Sequence, residues 1–347
     1  MSGALGAGAH LRVRWGCGRH APVALPLCQG AGMEGAGELQ RLLQGGLFWT
    51  RTAHDRGVGT GALRRAADRG EIVRLRRGAY VGAERWRATT PTERHRLLVV
   101  AAHRDQPDAV FSHASAAALW GLTLIGPWPA SVEIAVGAAP GGRSRPGVTR
   151  RSCSGHLDVV EVDGVRRSSV SRTVVDLARS VPFVSGLAAA DHALRRRLTT
   201  VEELRSTVES LGPARGVRAA RRVLEHTSGL AESPGESLSR GRMIELRLPS
   251  PVLQHRLGDR DGAIGRVDFW WPELRLVGEF DGRLKYQVDG IADERRVEDR
   301  LWAEKLREDR LRAGGARVVR WTWDVALDRD RFGAALARHG LHPALQR

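Results

Sequence analysis

The stretch from Val252 to Asp281 constrains the fold most. Three short runs rich in strand-forming residues, Val252–Leu257, Gly265–Trp271 and Arg275–Asp281, follow one another with only Asp-Gly and Pro-Glu turn signals between them. A helix start at Ser233-Pro234-Gly235-Glu236 precedes them, and a helical run Ala292–Ala313 and a last strand Ala316–Trp323 follow. The resulting order, αβββαβ, predicts a mixed sheet covered by helices. The chain has 347 residues, enough for two or three such units.

Side-chain alternation then decides where polar groups point. If Val267, Phe269 and Trp271 share one face, Asp268 takes the other; Val277, Glu279 and Asp281 likewise oppose Leu276, Gly278 and Phe280. On neighbouring strands Asp268 and Glu279 are expected to converge, with Glu236 in the first turn of the preceding helix. Oxygen donors of this kind suit Mg²⁺ or Mn²⁺, which can polarise a phosphate and lower the pKa of an attacking water. The plainer alternative is a solvated turn, with Asp268 paired to Arg266 or Arg275.

Glu236, Asp268, Glu279-Phe280-Asp281-Gly282, Arg307-Glu308 and Gly315–Trp321 together resemble the PD-(D/E)XK nuclease superfamily, in its very-short-patch-repair-like branch, over about residues 232–326. The resemblance implies Mg²⁺-dependent phosphodiester hydrolysis. Asp268 and Glu279 would hold metal, Glu236 and Asp281 would complete the shell or supply a base, and Lys285 would support the transition state. One position departs from the pattern: the third strand of that superfamily reads Glu-x-Lys, and here Asp281 stands where the lysine would. Lys285 in the next loop and Lys305 on the long helix are the available ammonium groups, and they are the only lysines among 55 basic residues.

The N-terminal region reads differently. Residues 1–32 mix Gly, Ala, Arg and Pro without a period, and are expected to be an extension, with Met33 an alternative start to Met1. From residue 33 to 90, glycines at 45–46, 57 and 70 divide the chain into three short helices, the last two expected to be capped by Thr50 and Thr60. Alternation through Ile72–Arg76, the turn Arg77-Gly78 and the strand Ala79–Val81 make a basic hairpin. Three helices and a hairpin describe a winged helix. Between Arg51 and Arg77 lie eight arginines against three acids. Arg51, Arg64, Arg65, Arg69, Arg74, Arg76 and Arg77 are therefore the candidate phosphate contacts. Phe48–Arg51, Gly70–Val81 and Ser112–Leu122 resemble the N-terminal region of AbiEi-type antitoxins of type IV toxin–antitoxin systems. That resemblance implies a winged-helix transcriptional autoregulator and a toxin partner or operon.

Residues 91–230 are read as an α/β connector domain. Pro91 opens a helix with Leu97, Leu98 and Ala101 on one side, Ser112 caps another, and Val132, Ile134 and Val136 alternate as a strand. Arg143, Arg145, Arg150 and Arg151 crowd a Gly/Pro-rich stretch that could extend a phosphate-binding surface. His113 is read as a hydrogen-bonding residue at a cap, since no second ligand stands at helical spacing. A linker is expected near Ser228–Gly235, the nuclease-like domain over 231–327 and a helix or tail over 328–347. The overall fold class is α/β, or α+β when the three regions are taken together.

The formal charge of +16 favours an acidic partner, double-stranded DNA above all, although an arginine bias alone carries little weight. Cys17, Cys28 and Cys153 are scattered without a CxxC pair, which argues against zinc and for a reducing, cytoplasmic setting. No run approaches the ~18 apolar residues of a membrane helix. Three functions follow in order: a DNA-binding endonuclease, a non-enzymatic antitoxin-like regulator carrying an inactive nuclease fold, and a protein-binding adaptor.

Overall fold

The computed structural model describes residues 34–137, 146–153, 155–282 and 294–343. Residues 1–33, Arg143, Arg145 and Lys285 lie outside them. The described chain is a mixed α and β structure with three sheets.

The first unit is a winged helix: α1 (Glu34–Gln44), β1 (Phe48–Trp49), α2 (Thr50–Asp55), α3 (Thr60–Asp68), β2 (Ile72–Arg76) and β3 (Ala79–Gly82). Its sheet runs β1-β3-β2, and Leu42, Phe48, Ala53, Val58, Leu63, Ala66 and Ile72 form its core. Gly78 turns the hairpin at φ +73°, and a Cβ on Gly82 would lie 2.0 Å from the Leu43 carbonyl oxygen, so β3 can approach α1 only with glycine there. Thr50 and Thr60 are corrected from caps to first helical residues. Trp49 and Gly59 hold the cap positions, with no side-chain cap bond at either.

Helices α4 (Ala83–Ala88) and α5 (Pro91–Asp105) lead into the middle unit. Thr90 and Glu93 close a reciprocal capping box at the start of α5, and Pro91 contributes a preset φ. The buried side of α5 is His95, Val99, Ala101 and Ala102, whereas Leu97 and Leu98 are half-buried. The face is rotated because α5 packs on a sheet through Val99 and Ala102, against Phe111, Val132, Ile134 and Val148.

That sheet has five strands: β4 (Val110–Phe111), β5 (Val132–Val136), β6 (Val148–Ser152), β7 (Val159–Val162) and β8 (Val165–Ser168), ordered β6-β5-β4-β8-β7. Helix α6 (His113–Trp120) crosses to a helical layer of α7 (Val170–Ser180), α8 (Phe183–Arg195), α9 (Val201–Ser210) and α10 (Val217–His226). Leu122, Val174, Leu177, Leu187, Leu204 and Val223 are among its fully buried contacts.

The C-terminal unit has the predicted order: α11 (Pro234–Glu245), β9 (Val252–Asp259), β10 (Gly262–Trp271), a 3₁₀ turn at Pro272–Leu274, β11 (Leu276–Phe280), α12 (Glu294–Ala313) and β12 (Arg317–Trp321). Strand order is β12-β11-β10-β9, with β11 and β12 parallel and the other pairs antiparallel. The last strand stops at Trp321, and Trp323 opens α13 (Trp323–Leu327), followed by α14 (Arg329–Ala337). Residues 328–341 are more than a tail. Phe332, Leu336 and Leu341 pack into the same core as Phe269, Trp271 and Trp321.

The Ser228–Gly235 connection is held as firmly as the elements around it. Ser228 N–H, Ser237 Oγ and Arg240 donate to the buried Asp191 carboxylate on α8, at 2.8, 2.9 and 2.7 Å. Among the described residues, no helix is long and apolar enough to cross a membrane.

Two stability predictions follow from these buried groups. Asp191→Ala strands a desolvated guanidinium, and is expected to cost about 3–5 kcal/mol in denaturant melts. Burial also lowers the pKa of His95, as it does at His113, His192 and His226. Below the ordinary value of 6.5 the unfolded chain takes up protons that the folded chain excludes, so stability is full above that pH and falls as pH drops through it. Melting temperatures measured from pH 7.5 down to 5.5 should decline, and His95→Gln should flatten part of that slope.

Candidate functional site

The winged helix presents its arginines in two groups. Arg51 on α2, Arg64 and Arg65 on α3, and Arg77 at the wing turn are exposed and make no ion pair among the described residues. Arg51 lies beside the turn, because the adjacent Thr50 N–H donates to the Gly78 carbonyl at 2.9 Å. Arg74 is exposed as well, its Nε donating to the Arg76 carbonyl at 3.3 Å.

Two of the predicted phosphate contacts are already engaged. Arg69 forms a paired bond to Glu71, with Nε–Oε1 at 2.7 Å. Arg76 bridges to the middle unit instead, meeting Asp105 on α5 at 3.3 Å and the Gly147 carbonyl at 3.4 Å. Next to it the Arg104 guanidinium covers the Trp49 ring at 4.8 Å. These contacts fix the wing relative to the five-stranded sheet.

The carboxylates of the C-terminal sheet are brought together only in part. Strict alternation along β10 breaks at Asp268: Val267 packs with Leu311 and Val277, while Phe269 packs with Trp321 on the opposite side. The Asp268 carboxylate therefore leaves the predicted face, and its Oδ2 accepts the Phe280 backbone N–H of β11 at 3.0 Å. Opposite, Gln254 on β9 sits at φ +52°, a left-handed backbone rare for a residue with a side chain. From there its amide donates to Glu236 at 2.8 Å and, more weakly, to Asp268 at 3.4 Å.

Glu236 joins this cluster, and it also serves its own helix. Its carboxylate accepts from Glu232 N–H at 2.7 Å and from Ser233 Oγ at 2.8 Å, while Ser233 accepts the Glu236 N–H. Burial, and next the charge of Asp268, push its carboxyl above the usual carboxylate range. Gly235 lets this helix start meet the sheet, since a Cβ there would lie 2.0 Å from the Phe280 ring.

Glu279 is engaged by arginines. On the α12 side it accepts from Arg307 at 2.6 Å, and Arg320 of β12 approaches its other oxygen at 3.2 Å. Asp281 has its backbone N–H bonded to the Trp321 carbonyl at 2.8 Å. Lys305 lies over the exposed Trp302 ring at 5.5 Å. No group of three acidic, histidine or cysteine side chains among the described residues is arranged to hold a metal ion. With Glu279 committed to two guanidiniums and Glu236 to a helix cap, these donors do not fit the shared Mg²⁺ or Mn²⁺ that alternation predicts. Sequence reasoning missed Gln254, whose role depends on a backbone irregularity; it singled out Arg307 and the stretch containing Arg320, but not their pairing with Glu279.

His113 is held at φ +48° with Nδ1 3.1 Å from Ser112 Oγ, and the α6 N-terminus takes the Glu133 carboxylate at Ala114 N–H, 2.8 Å. Ser112 occupies the cap position, but its side chain makes no cap bond.

A three-helix unit with a basic wing, joined to a sheet-and-helix domain, defines a winged-helix protein. Residues 38–81 match the family described as "Transcriptional regulator, AbiEi antitoxin", and residues 108–226 match the "AbiEi antitoxin C-terminal domain". Two proteins of Mycobacterium tuberculosis, the uncharacterized proteins Rv2248 (strain ATCC 25618 / H37Rv) and MT2308 (strain CDC 1551 / Oshkosh), are each 34% identical over 203 residues, covering 58% of this chain and 71% of theirs. The chain belongs to the family of these two proteins and carries AbiEi-antitoxin-like domains. A crystal structure of the RV2827C protein from Mycobacterium tuberculosis matches over 72% of this chain and 92% of that one, at 15% identity and a TM-score of 0.37.

The split among the arginines has a direct check. Arg76→Ala should speed amide exchange in the β2–β3 hairpin by releasing its contact with α5, whereas Arg77→Ala should leave exchange there unchanged.

Proposed function

We propose that this protein is a DNA-binding transcriptional regulator of antitoxin type, docking its winged helix on duplex DNA within a toxin–antitoxin operon. The observation that carries the reading is the set of uncommitted guanidiniums at Arg51, Arg64, Arg65 and Arg77. Paired arginines such as Arg69 would first have to break a bond, whereas these meet phosphate at no such cost. The AbiEi match over residues 38–81 supports the same assignment.

Cleavage by the C-terminal domain is the weaker reading. It needs Asp268 and Glu279 to share a cation, with Asp281 and Lys285 assisting, and Glu279 is already neutralised by arginine. A supercoiled plasmid incubated with the full chain in Mg²⁺ should be retarded and remain un-nicked.

Fluorescence anisotropy with duplex from the protein's own promoter tests the regulator directly. Affinity should fall steeply as salt rises. Arg64→Ala and Arg65→Ala should each weaken binding and reduce the log–log salt slope by about 1, in random as well as promoter duplex. A flat salt response would overturn the reading in favour of a protein-binding adaptor.

A further inference from the structure

The C-terminal sheet sets the carboxylates of Glu279, Glu304 and Glu308 against positive charge of its own. Arg307 reaches from α12 to Glu279 at 2.6 Å, to Glu304 at 2.9 Å and to the Arg266 carbonyl at 2.9 Å. Arg320, from β12, approaches Glu279 at 3.2 Å and Glu308 at 3.2 Å, and also bonds Glu304. Arg312 closes the array on Glu308 at 2.5 Å. Three guanidiniums thus face three carboxylates, and the array is neutral without any ion from solution.

The array also holds α12 in place. Among the described side chains of that helix, Leu311 is buried, while Trp302 and Leu306 face solvent. The inward contacts beyond Leu311 are charged: Arg307 to β10 and β11, and Arg310 to Asp259 of β9 at 2.6 Å. Burial works against charge on Arg307 and Arg320, but Glu279 and Glu304 outweigh it and hold both protonated more firmly than usual. A divalent cation would have to displace two such groups from a carboxylate that is only 14% exposed.

We propose that Arg307 and Arg320 take over the charge role of a divalent cation on this sheet, so that the domain binds no metal at Glu279 and Asp268 and uses the arginines to clamp α12. This holds whether or not the winged helix binds DNA.

MnCl₂ titrated calorimetrically into the full chain, with Asp268→Asn and Glu279→Gln alongside, reads metal binding directly. Heat that is absent, or unchanged in both variants, is the expected result. Micromolar Mn²⁺ binding abolished by either substitution would overturn the proposal. Thermal melts in EDTA read the clamp. Arg307→Met with Arg320→Met should lower the midpoint by roughly 5 °C or more, and adding Glu279→Gln should recover part of that loss by removing the stranded charge. No loss in the double variant, or no recovery in the triple, would mean that the arginines supply packing rather than counter-charge. If the double variant does not fold, the titration of the unmodified protein decides alone.

Discussion

Arg240 reaches from α11 into the helical layer and lays its guanidinium across the Asp191 carboxylate of α8, at 2.7 and 2.8 Å. The carboxylate is fully buried, and its remaining capacity is filled by Ser228 N–H, Thr227 Oγ1 and Ser237 Oγ. Burial pushes the Asp191 carboxyl up, and Arg240 opposes that shift. A pair so enclosed adds little net stability against an apolar substitute, but it allows only one arrangement, because losing any partner leaves a desolvated charge. It therefore sets register: α11 can pack on α8 in one rotation, and that rotation aims Glu236 at β9 and β10.

The rest of the C-terminal unit is organised from this helix. Trp321 donates to Ser239 Oγ at 2.7 Å, Phe280 stacks into the gap left by Gly235, and Phe269, Trp271 and Phe332 fill the space behind. The ion pair is thus the fixed point between two hydrophobic layers, one of the middle unit and one of the sheet. Asp191 and Arg240 are 49 residues apart, and neither belongs to any pattern of helix or strand periodicity that would join them.

What the sequence made legible follows physical locality. The αβββαβ order and the helix–hairpin order of the winged helix depend on turn residues and apolar period, and both are present in the structure. Helix caps failed at Thr50 and Thr60 because one residue of displacement is enough to move a hydroxyl from the cap into the first turn. The carboxylates depart from simple alternation for a different reason. Alternation assumes regular pleating, and β10 breaks it at Asp268, whose side chain replaces a ladder acceptor for Phe280, while Gln254 breaks it on β9.

Arginine abundance is where pattern and structure part most widely. With only two lysines among 55 basic residues, charge alone could not separate a phosphate contact from a structural tie. The structure separates them by acceptors. Arg76, Arg172, Arg240, Arg307 and Arg320 each find carboxylate or carbonyl partners within the fold. A planar guanidinium with five donors can serve two or three such acceptors at once, which a lysine ammonium on a flexible stem does less well. The same chemistry that suits arginine for phosphate thus suits it for internal carboxylates. On the winged helix, Arg51, Arg64, Arg65 and Arg77 make no ion pair among the described residues, while Arg76, Arg240, Arg307 and Arg320 are tied to acceptors at the wing, under α11 and under α12. A positive net charge is consequently a poor measure of DNA-binding surface here; the measure that counts is the charge left over once the internal acceptors are satisfied.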